Sequence, residues 1–494
     1  MTKLLSLIPT LASALALSAC VVGPNYVKPT TPASTPDTAA FAEAARTSAV
    51  SAAALPADWW RLYQDPVLDR LVTEALAHNT DIRVAAANLA RARAVLSEQR
   101  GARLPTTDLS AQANYSRTGL GSLGAQGAGV AGGAAGVNAF ETDFYSLGFD
   151  ASYEVDLFGG VSRSIEAGRG DVGVAQATLD AARVSIAAET ARTYIDACGF
   201  GAQANVAAET VGLQQRTLDL TQRLFDGGRN GRRELDQATV LVEQARAQLA
   251  GFEAERRAAL YALATLTGDS SSQTDADASA CAALPALVAP IPVGDGQMLL
   301  ARRPDVRQAE RQLAADTARV GVATAALYPS ITLMGSIGLG AGSVSDLPKD
   351  QSLSWSIGPF ISWNFPFNGA ARARVRASEA VADGSLAAFD GAVLTALQEA
   401  QQALARLDGA VKSETALANA LKASESAAFL SEKRFDLGAD SFLILLDAQR
   451  TRALARSALA SASVDRAQAQ VALFKALGGG WENAPEPVKA ATAN

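Results

Sequence analysis

The chain carries two kinds of hydrophobic pattern. Long stretches repeat apolar residues at helical spacing, whereas four short stretches alternate apolar and polar residues. The alternation predicts β-strands at about 106–117, 144–158, 330–341 and 352–366. It is sharpest in the second strand, where Phe149 and Tyr153 oppose Asp150 and Glu154. One apolar and one charged face are typical of a transmembrane β-strand, with lipid on one side and water on the other.

A soluble β-sandwich is the alternative interpretation of these strands. Four strands do not cover both faces of a sandwich, and Trp355 and Trp363 resemble an interfacial aromatic girdle. Four strands also do not close a barrel, and an open sheet edge in lipid leaves backbone groups unsatisfied. Copies of the chain must therefore supply closure, and three copies giving about twelve strands is an economical solution.

The sequence is internally duplicated. Leu76–Leu109 aligns without a gap with Leu300–Leu333, which places Asp81 on Asp305 and Pro105 on Pro329. Each copy predicts a helix that starts with an acidic first turn and ends before a proline that leads into a strand. A repeat of this length indicates two structural repeats.

Each second strand leads into a very long helical pattern, at 161–226 and 370–435, followed by a return helix at 233–267 and 441–477. At about 1.5 Å per residue, the long helices reach roughly 100 Å. The opening helix 67–103 and the return helix together match one long helix, so we predict a tall hollow helical cylinder capped by a barrel. The fold class is thus mainly α with a small β part: a long antiparallel coiled-coil barrel plus four transmembrane strands per chain.

The predicted organisation has six segments. They are a signal peptide (1–19), an N-terminal strap (20–66), a first repeat (67–268), an equatorial linker (269–295), a second repeat (296–478) and a flexible tail (479–494).

The N-terminus is typical of a secretory signal, with Lys3 followed by an apolar run from Leu4 to Leu17. The sequence Leu17-Ser18-Ala19-Cys20 resembles a lipobox, in which Cys20 becomes the first mature residue and carries a lipid. An ordinary cleavage site with an incidental cysteine is the alternative. Val21 stands where an aspartate would indicate retention in the inner membrane, so resemblance to bacterial lipoproteins implies the outer membrane. Acyl chains anchor a protein but do not span the bilayer.

Composition argues against several classes of function. The net charge is −7 and no dense Lys/Arg block occurs, so we expect no nucleic-acid partner. The single histidine, His78, is interpreted as a surface residue, and three scattered cysteines have no metal-ligand spacing. No nucleophile elbow or phosphate loop occurs, so we expect no catalytic residues, no metal, and no cofactor other than a covalent lipid on Cys20.

Two cysteines lie at one predicted level of the cylinder. By its length the linker lies near mid-height and contains Cys281, while Cys198 is about halfway along the first long helix. In an oxidising periplasm a disulfide between them is expected. Two buried free thiols are the alternative.

The lipobox, the duplicated segment LARRPDVRQAE, the paired strands and the sequence FDLGADSFLILLDAQR at the second helical turn occur together in one chain. In this combination the chain resembles the TolC-like outer membrane factors, in the lipoprotein branch of OprM/NodT-type efflux channels. The resemblance runs from Cys20 to about Gly479. It implies a homotrimer with a twelve-stranded barrel in outer membrane lipid, and a passive exit duct that docks a periplasmic adaptor protein and serves an inner membrane pump of the resistance-nodulation-division type.

The resemblance also implies site residues at the two helical turns. Adaptor contacts are expected at Gly227, Gly228, Arg229, Leu437, Gly438 and Ala439. Turn geometry without a partner explains the glycines equally well. An acidic ring is expected to narrow the tunnel at Asp447, with Arg450 three residues on as its pairing residue and Asp236 as the equivalent acid in the first repeat. A solvated aspartate on a helix face is the alternative.

A different class of protein also remains open, namely a lipid-anchored periplasmic coiled-coil scaffold or adaptor without a pore. The alternating face of Asp150, Glu154 and Asp156 argues against it, since a scaffold has no need for such a strand.

Overall fold

The computed structural model describes residues 21–30, 41–119, 139–229, 231–363 and 369–488. The predicted signal peptide (1–19), Cys20, part of the predicted strap and the end of the predicted tail lie outside these residues. The described part is mainly helical with one four-stranded sheet, which confirms the predicted fold class. The helices are α1 (Pro66–His78), α2 (Thr80–Gly101), α3 (Gly160–Asp226), α4 (Arg232–Thr267), α5 (Ala276–Ala280), α6 (Gly296–Arg302), α7 (Pro304–Ala325), α8 (Ala370–Asp436) and α9 (Phe442–Ala476).

The duplication is visible in the helix lengths. Helices α3 and α8 have 67 residues each, and α2 and α7 have 22 residues each. The corresponding return helices α4 and α9 have 36 and 35 residues. The two repeats therefore use the same elements in the same order.

The strands are β1 (Val50–Ser51), β2 (Thr106–Gly119), β3 (Ala139–Val155), β4 (Ile291–Pro292), β5 (Ser330–Ala341) and β6 (Leu353–Ser362). Four of them form an antiparallel sheet in the order β2-β3-β5-β6. Each neighbouring pair is antiparallel, and each repeat contributes one hairpin. Within one chain β2 and β6 are the two edge strands.

The strand register gathers apolar side chains on one face. One row across all four strands consists of Leu109, Phe149, Ile337 and Trp355, which are 71%, 44%, 50% and 71% exposed. The neighbouring row on the opposite face consists of Asp108, Asp150, Ser336 and Ser356. Because soluble surfaces rarely expose so continuous an apolar area, this face is suited to lipid.

The opening helix of each repeat is broken, whereas the sequence predicted an uninterrupted helix at 67–103. In the first repeat Asn79 separates α1 from α2, and its side-chain oxygen accepts a hydrogen bond from the Asp81 N–H at 2.9 Å. Its amide also donates to the Leu266 carbonyl at 3.0 Å. In the second repeat Arg303 separates α6 from Pro304, because a residue that precedes proline is disfavoured in helical conformation.

The strap and the linker pair with each other in the parallel two-stranded sheet β1-β4. The strap continues into a short 3₁₀ helix, Trp59–Tyr63, whose aromatic residues are buried. Trp59 stacks on Phe474 of α9 with ring centroids 4.5 Å apart. The aromatic cluster therefore attaches the strap to the helical body.

The chain divides into two compact units. One contains Ala92–Val172 and Gln312–Ser385 with the described part of Met1–Val27, and it holds the four-stranded sheet. The other contains Lys28–Arg91, Gly173–Arg311 and the described part of Leu386–Asn494, and it holds both helical turns and the linker. Among the described residues, α8 is long and apolar enough to cross a membrane, by length and composition alone.

Candidate functional site

The first helical turn, between α3 and α4, closes with the hydrogen bonds of a Schellman motif. The Arg229 N–H donates to the Leu224 carbonyl at 2.8 Å, and the Gly228 N–H donates to the Phe225 carbonyl at 2.9 Å. Gly228 has φ +67°, a left-handed conformation that glycine adopts without strain. Nothing lies within 4 Å of a Cβ built at this glycine.

The second turn, between α8 and α9, has the same geometry. The Ala439 N–H donates to the Arg434 carbonyl at 2.8 Å, and the Gly438 N–H donates to the Phe435 carbonyl at 2.9 Å. Gly438 has φ +74° and is likewise open to solvent at its Cβ position. Arg434 also pairs with Asp440 at 2.9 Å, which ties the end of α8 to the residues before α9. Both turns contain Phe-Asp-X-Gly, and in each the glycine supplies the positive φ that the motif requires.

The two turns differ in surface chemistry. The first turn is basic, with Arg229 exposed in the turn and Arg232 and Arg233 in the first turn of α4. Arg233 pairs with Glu234 at 3.0 Å, and this hydrogen bond lowers the pKa of the Glu234 carboxyl. The second turn is apolar at its tip, where Leu437 is 84% exposed.

Further exposed apolar side chains lie around the second turn. They are Phe429, Leu430, Leu443 and Ile444, at 57%, 56%, 45% and 49% exposure. The sequence prediction identified Leu437 and the glycines but missed these four residues. The apolar run from Phe442 to Leu446 after the glycine turn is a signal that would have revealed two of them, because a two-helix packing buries only part of so continuous a run.

Beneath the tip the same run supplies a small core. Phe442, Leu445 and Leu446 are buried, with Leu241 and Phe435 packed against them. The rings of Phe435 and Phe442 are 5.9 Å apart. This core fixes the start of α9, on which the expected aperture residues lie.

Asp447 and Arg450 lie on α9 just beyond this core. The Arg450 Nη2 donates to the Asp447 Oδ1 at 2.8 Å, and the two side chains are 60% and 66% exposed. Between them, Gln449 accepts a hydrogen bond from the Thr217 hydroxyl of α3 at 2.9 Å. Gln449 therefore faces the neighbouring helix, while Asp447 stays exposed to solvent.

Asp236 occupies a similar place on α4. It pairs with Arg232, four residues before it, at 2.9 Å, and both side chains are more than half exposed. Each expected aperture acid therefore carries an arginine partner from its own helix. Such exposed pairs contribute about 0–1 kcal/mol to stability, so both acids add little to the stability of the fold.

Cys198 of α3 and Cys281 of the linker form a disulfide, with Cα atoms 4.9 Å apart. Two further contacts hold the linker at this place. Arg256 of α4 donates to the Cys281 carbonyl at 2.9 Å, and a Cβ at Gly201 would lie 2.7 Å from the same carbonyl oxygen. The linker backbone therefore approaches α3 closely enough to require glycine there.

Ion pairs attach the start of the linker to α1. Arg70 of α1 pairs with Asp275 at 2.8 Å and with Asp277 at 3.1 Å. The hydrogen bond from Arg70 lowers the pKa of the Asp275 carboxyl. Asp275 also caps α5 by accepting from the Ala278 N–H at 2.8 Å.

The described residues contain no group of three or more His, Cys, Asp or Glu side chains that would hold a metal ion. Cys20, the expected lipidation site, lies outside the described residues, which begin at Val21.

Comparison with known proteins places the chain in a family. A family model described as "Outer membrane efflux protein" matches residues 71–269 and 296–479, one segment for each repeat. The chain is 32% identical over 476 residues to the outer membrane protein OprJ of Pseudomonas aeruginosa, covering 96% of both chains. It is 28% identical to nodulation protein T of Rhizobium leguminosarum bv. trifolii, covering 94% of this chain and 96% of that protein. The solved outer-membrane channel OprN is 34% identical and superposes with a TM-score of 0.84 over 94% of this chain and 100% of its own.

The chain therefore belongs to the outer membrane efflux protein family, of the TolC-like type. It is an exit duct of an efflux system, located in the outer membrane and extending into the periplasm. The family is one of efflux channels and not a family of enzymes.

Proposed function

We propose that three copies of this chain form one closed duct, which conducts exported compounds passively from a periplasmic adaptor and an inner membrane pump of the resistance-nodulation-division type. The observation that carries the proposal is the four-stranded sheet. One face of the sheet is apolar and exposed, and among the described residues its edge strands β2 and β6 have no partner strand on their outer sides.

An unpaired strand edge is tolerated in water but not in lipid, because each unsatisfied backbone group in the bilayer costs several kcal/mol. Pairing β6 of one copy with β2 of the next satisfies both edges. A ring of three such sheets has about twelve strands, within the range of known membrane barrels. Oligomerisation is then a condition of membrane insertion.

We place the adaptor contact at the two helical turns. Gly227, Gly228 and Arg229 form the first tip, and Leu437, Gly438 and Ala439 form the second. The second tip offers an exposed leucine and an open glycine, a combination that suits close helix-to-helix approach by a partner. The first tip offers guanidinium groups, which suit an acidic or carbonyl-rich partner surface.

We also propose that Asp447 of the three copies forms the periplasmic aperture, with Arg450 and Asp236 setting its local charge. Three carboxylates around a threefold axis repel one another and attract cations, which gives the constriction cation selectivity. The chain needs no catalytic group for this role.

Cys20 carries the lipid in this proposal, so that the acyl chains hold the terminus in the outer membrane. Labelling with radioactive palmitate tests this modification, and the variant Cys20→Ser should incorporate none. Label retained in that variant would contradict the assignment.

The duct itself is tested with protein purified in detergent. Native mass spectrometry should give a trimer, and addition to a planar lipid bilayer should give ion conductance. A lipid-anchored periplasmic scaffold or adaptor without a pore would instead leave the bilayer current unchanged.

A further inference from the structure

Arg163, in the first turn of α3, is 3% exposed. It donates most of its hydrogen bonds to the N-terminal segment, residues 21–25. Its Nε donates to the Val22 carbonyl at 3.2 Å. Its Nη2 donates to the Gly23 carbonyl at 3.2 Å and to the Asn25 side-chain oxygen at 2.7 Å. The remaining nitrogen, Nη1, donates to Glu166 at 2.8 Å.

The backbone of the same segment is held as closely. The Val22 N–H donates to the Phe158 carbonyl at 3.2 Å, just after the end of β3. Gly159 has φ +81°, and a Cβ there would lie 2.6 Å from the Val21 side chain. Because real Cβ atoms do not approach other atoms so closely, only glycine leaves room for Val21.

A second glycine contact lies on the other side of the segment. Gly23 has φ +88°, and its Cβ would lie 2.5 Å from the Cα of Gly321 in α7. A Cβ at Gly321 would in turn meet the Arg163 side chain at 2.8 Å. We call Arg163, Gly159 and Gly321 the anchor socket.

The contacts of the socket are unusual for a chain terminus, which ordinarily frays because few interactions offset its conformational entropy. A buried guanidinium must have its donors satisfied. If the segment left, three hydrogen bonds of Arg163 would be lost at a buried position. The socket therefore disfavours release of the segment.

The position of the socket is relevant to Cys20, the residue that precedes the docked segment in sequence. Cys20 is covalently bonded to Val21, and consecutive Cα atoms are about 3.8 Å apart. Phe158 follows Val155, the last residue of β3, by three positions. Val21, the residue bonded to Cys20, therefore lies close to the helical end of the sheet.

We propose that the anchor socket docks the segment directly after Cys20 and fixes the point at which its acyl chains enter the membrane, beside the helical end of the sheet. The lipid anchor then acts as a fixed attachment and not as a flexible tether. The second half of this proposal rests on the proposed lipidation of Cys20, whereas the docking itself does not.

Hydrogen–deuterium exchange of the detergent-purified full chain tests the docking, read on the peptide 21–26. In the wild type the Val22 amide should exchange slowly. In Arg163→Ala its exchange should accelerate at least about tenfold, equivalent to 1.4 kcal/mol. Arg163→Lys should lie between the two, because lysine keeps the charge but loses the planar fork. Equally fast exchange in the wild type and in Arg163→Ala would overturn the docking.

A second variant distinguishes loss of docking from a general loss of structure in Arg163→Ala. Gly23→Ala leaves α3 and α7 unchanged but puts a methyl group against Gly321. It should accelerate exchange at 21–26 while the peptides of β3 and β5 exchange as in the wild type. Gly384→Ala, at a helical glycine with nothing within 4 Å of its Cβ position, is the matched control and should change neither. Unchanged protection in Gly23→Ala would contradict the socket.

Thiol labelling of the denatured, unreduced wild type separates the lipid from the docking. Cys198 and Cys281 are bonded to each other, so a lipidated chain should react with no maleimide. One reactive thiol per chain would overturn the lipidation and the membrane-entry half of the proposal. The exchange rates would decide the docking in either case.

Discussion

The Arg450 Nη2 donates a hydrogen bond to the Asp447 Oδ1 at 2.8 Å, although both side chains are largely exposed to solvent. The arginine thus accompanies the acid on α9 but does not remove it from water. An ion pair of this kind is sensitive to salt and opens readily. The carboxylate therefore stays accessible to solvent, as the proposed anionic aperture requires.

Replacing Asp447 by alanine should raise single-channel conductance and reduce cation selectivity, because the anionic ring disappears and leaves Arg450 unpaired. The free energy of unfolding should change by less than about 1 kcal/mol, as for exposed pairs in general. Conductance and reversal potential in a planar bilayer measure the effect.

Glu243→Ala provides the matched control for that variant. Glu243 pairs with Arg246 at the same three-residue spacing, at 2.7 Å and with similar exposure, but on α4. Its removal should leave conductance unchanged. If both variants behave alike, Asp447 does not line a constriction.

Gly438→Ala should destabilise the second turn by about 1–3 kcal/mol, because alanine is strained at φ +74°. Gly438→Asn should recover most of this loss, since asparagine tolerates the left-handed conformation. Thermal unfolding measures the two variants, with Gly391→Ala, inside α8, as a control that should not destabilise.

The same pair of variants separates turn geometry from partner contact. If the adaptor approaches the glycine closely, Gly438→Asn should fold normally yet fail to bind an adaptor in a pull-down and fail to restore export in cells. Normal export by Gly438→Asn would assign the glycine to turn geometry alone.

The disulfide should stabilise the unit that holds both helical turns and the linker by about 2–4 kcal/mol. It closes a long loop, with a sequence separation of 83. Replacing Cys198 and Cys281 together by serine should lower the unfolding midpoint in denaturant. Treating the wild type with a reductant should give the same shift and should have no effect on the double variant. Equal midpoints with and without the disulfide would show that the other linker contacts suffice.

Attachment of the linker should weaken in acid. Arg70 lowers the pKa of Asp275, so its contribution to stability is present above the ordinary aspartate pKa of about 3.9 and is lost as the pH falls through the lower folded value. Hydrogen exchange of residues 269–285 against pH measures the loss. The variant Asp275→Asn keeps a cap for α5. Its residues 269–285 should exchange faster than those of the wild type at neutral pH, and their exchange should change less as the pH falls. An acid response equal to that of the wild type would contradict this assignment.

The two faces of β6 should respond differently to charge. Ile357→Lys places a cation on the apolar face and should cost about 2–4 kcal/mol if that site lies near the bilayer midplane. Ser356→Lys places the same cation on the opposite face and should be tolerated. Yield of heat-stable trimer from outer membranes compares the two, and equal yields would argue against a lipid-facing sheet.

Several features could be predicted from the sequence because they are periodic and local. The long helices, the alternating strands and the duplicated segments each leave a pattern within neighbouring residues. The glycines of the two turns were recognised for the same reason, since Gly228 and Gly438 need positive φ for local closure. The pairing of Arg450 with Asp447 follows from helical spacing alone.

The break at Asn79 was not predicted, because capping competes with helix continuation on small energy differences. The break at Arg303 has a local signal, the following Pro304, but its side-chain partners have none. Asn79 ends α1 through hydrogen bonds within its own turn and to the Leu266 carbonyl, far away in sequence. Arg303 is held by Glu399 and the Ala476 carbonyl, on two other helices. Such partners become neighbours only after folding.

By itself the sequence therefore determined the class of this protein: long helices, lipid-compatible strands and two repeats, since hydrophobic periodicity and the internal duplication encode them. Only the tertiary structure decided the strand register that joins Leu109 to Trp355 in one row, and the socket in which Arg163 holds Val22 and Gly23. The row depends on the pairing of Phe149 with Ile337, and the socket depends on the contacts of Arg163 with Val22 and Gly23. The partners in each of these contacts lie more than a hundred positions apart. No local pattern records such contacts, because a buried arginine or a glycine has the same local signature whatever chain segment it finally meets.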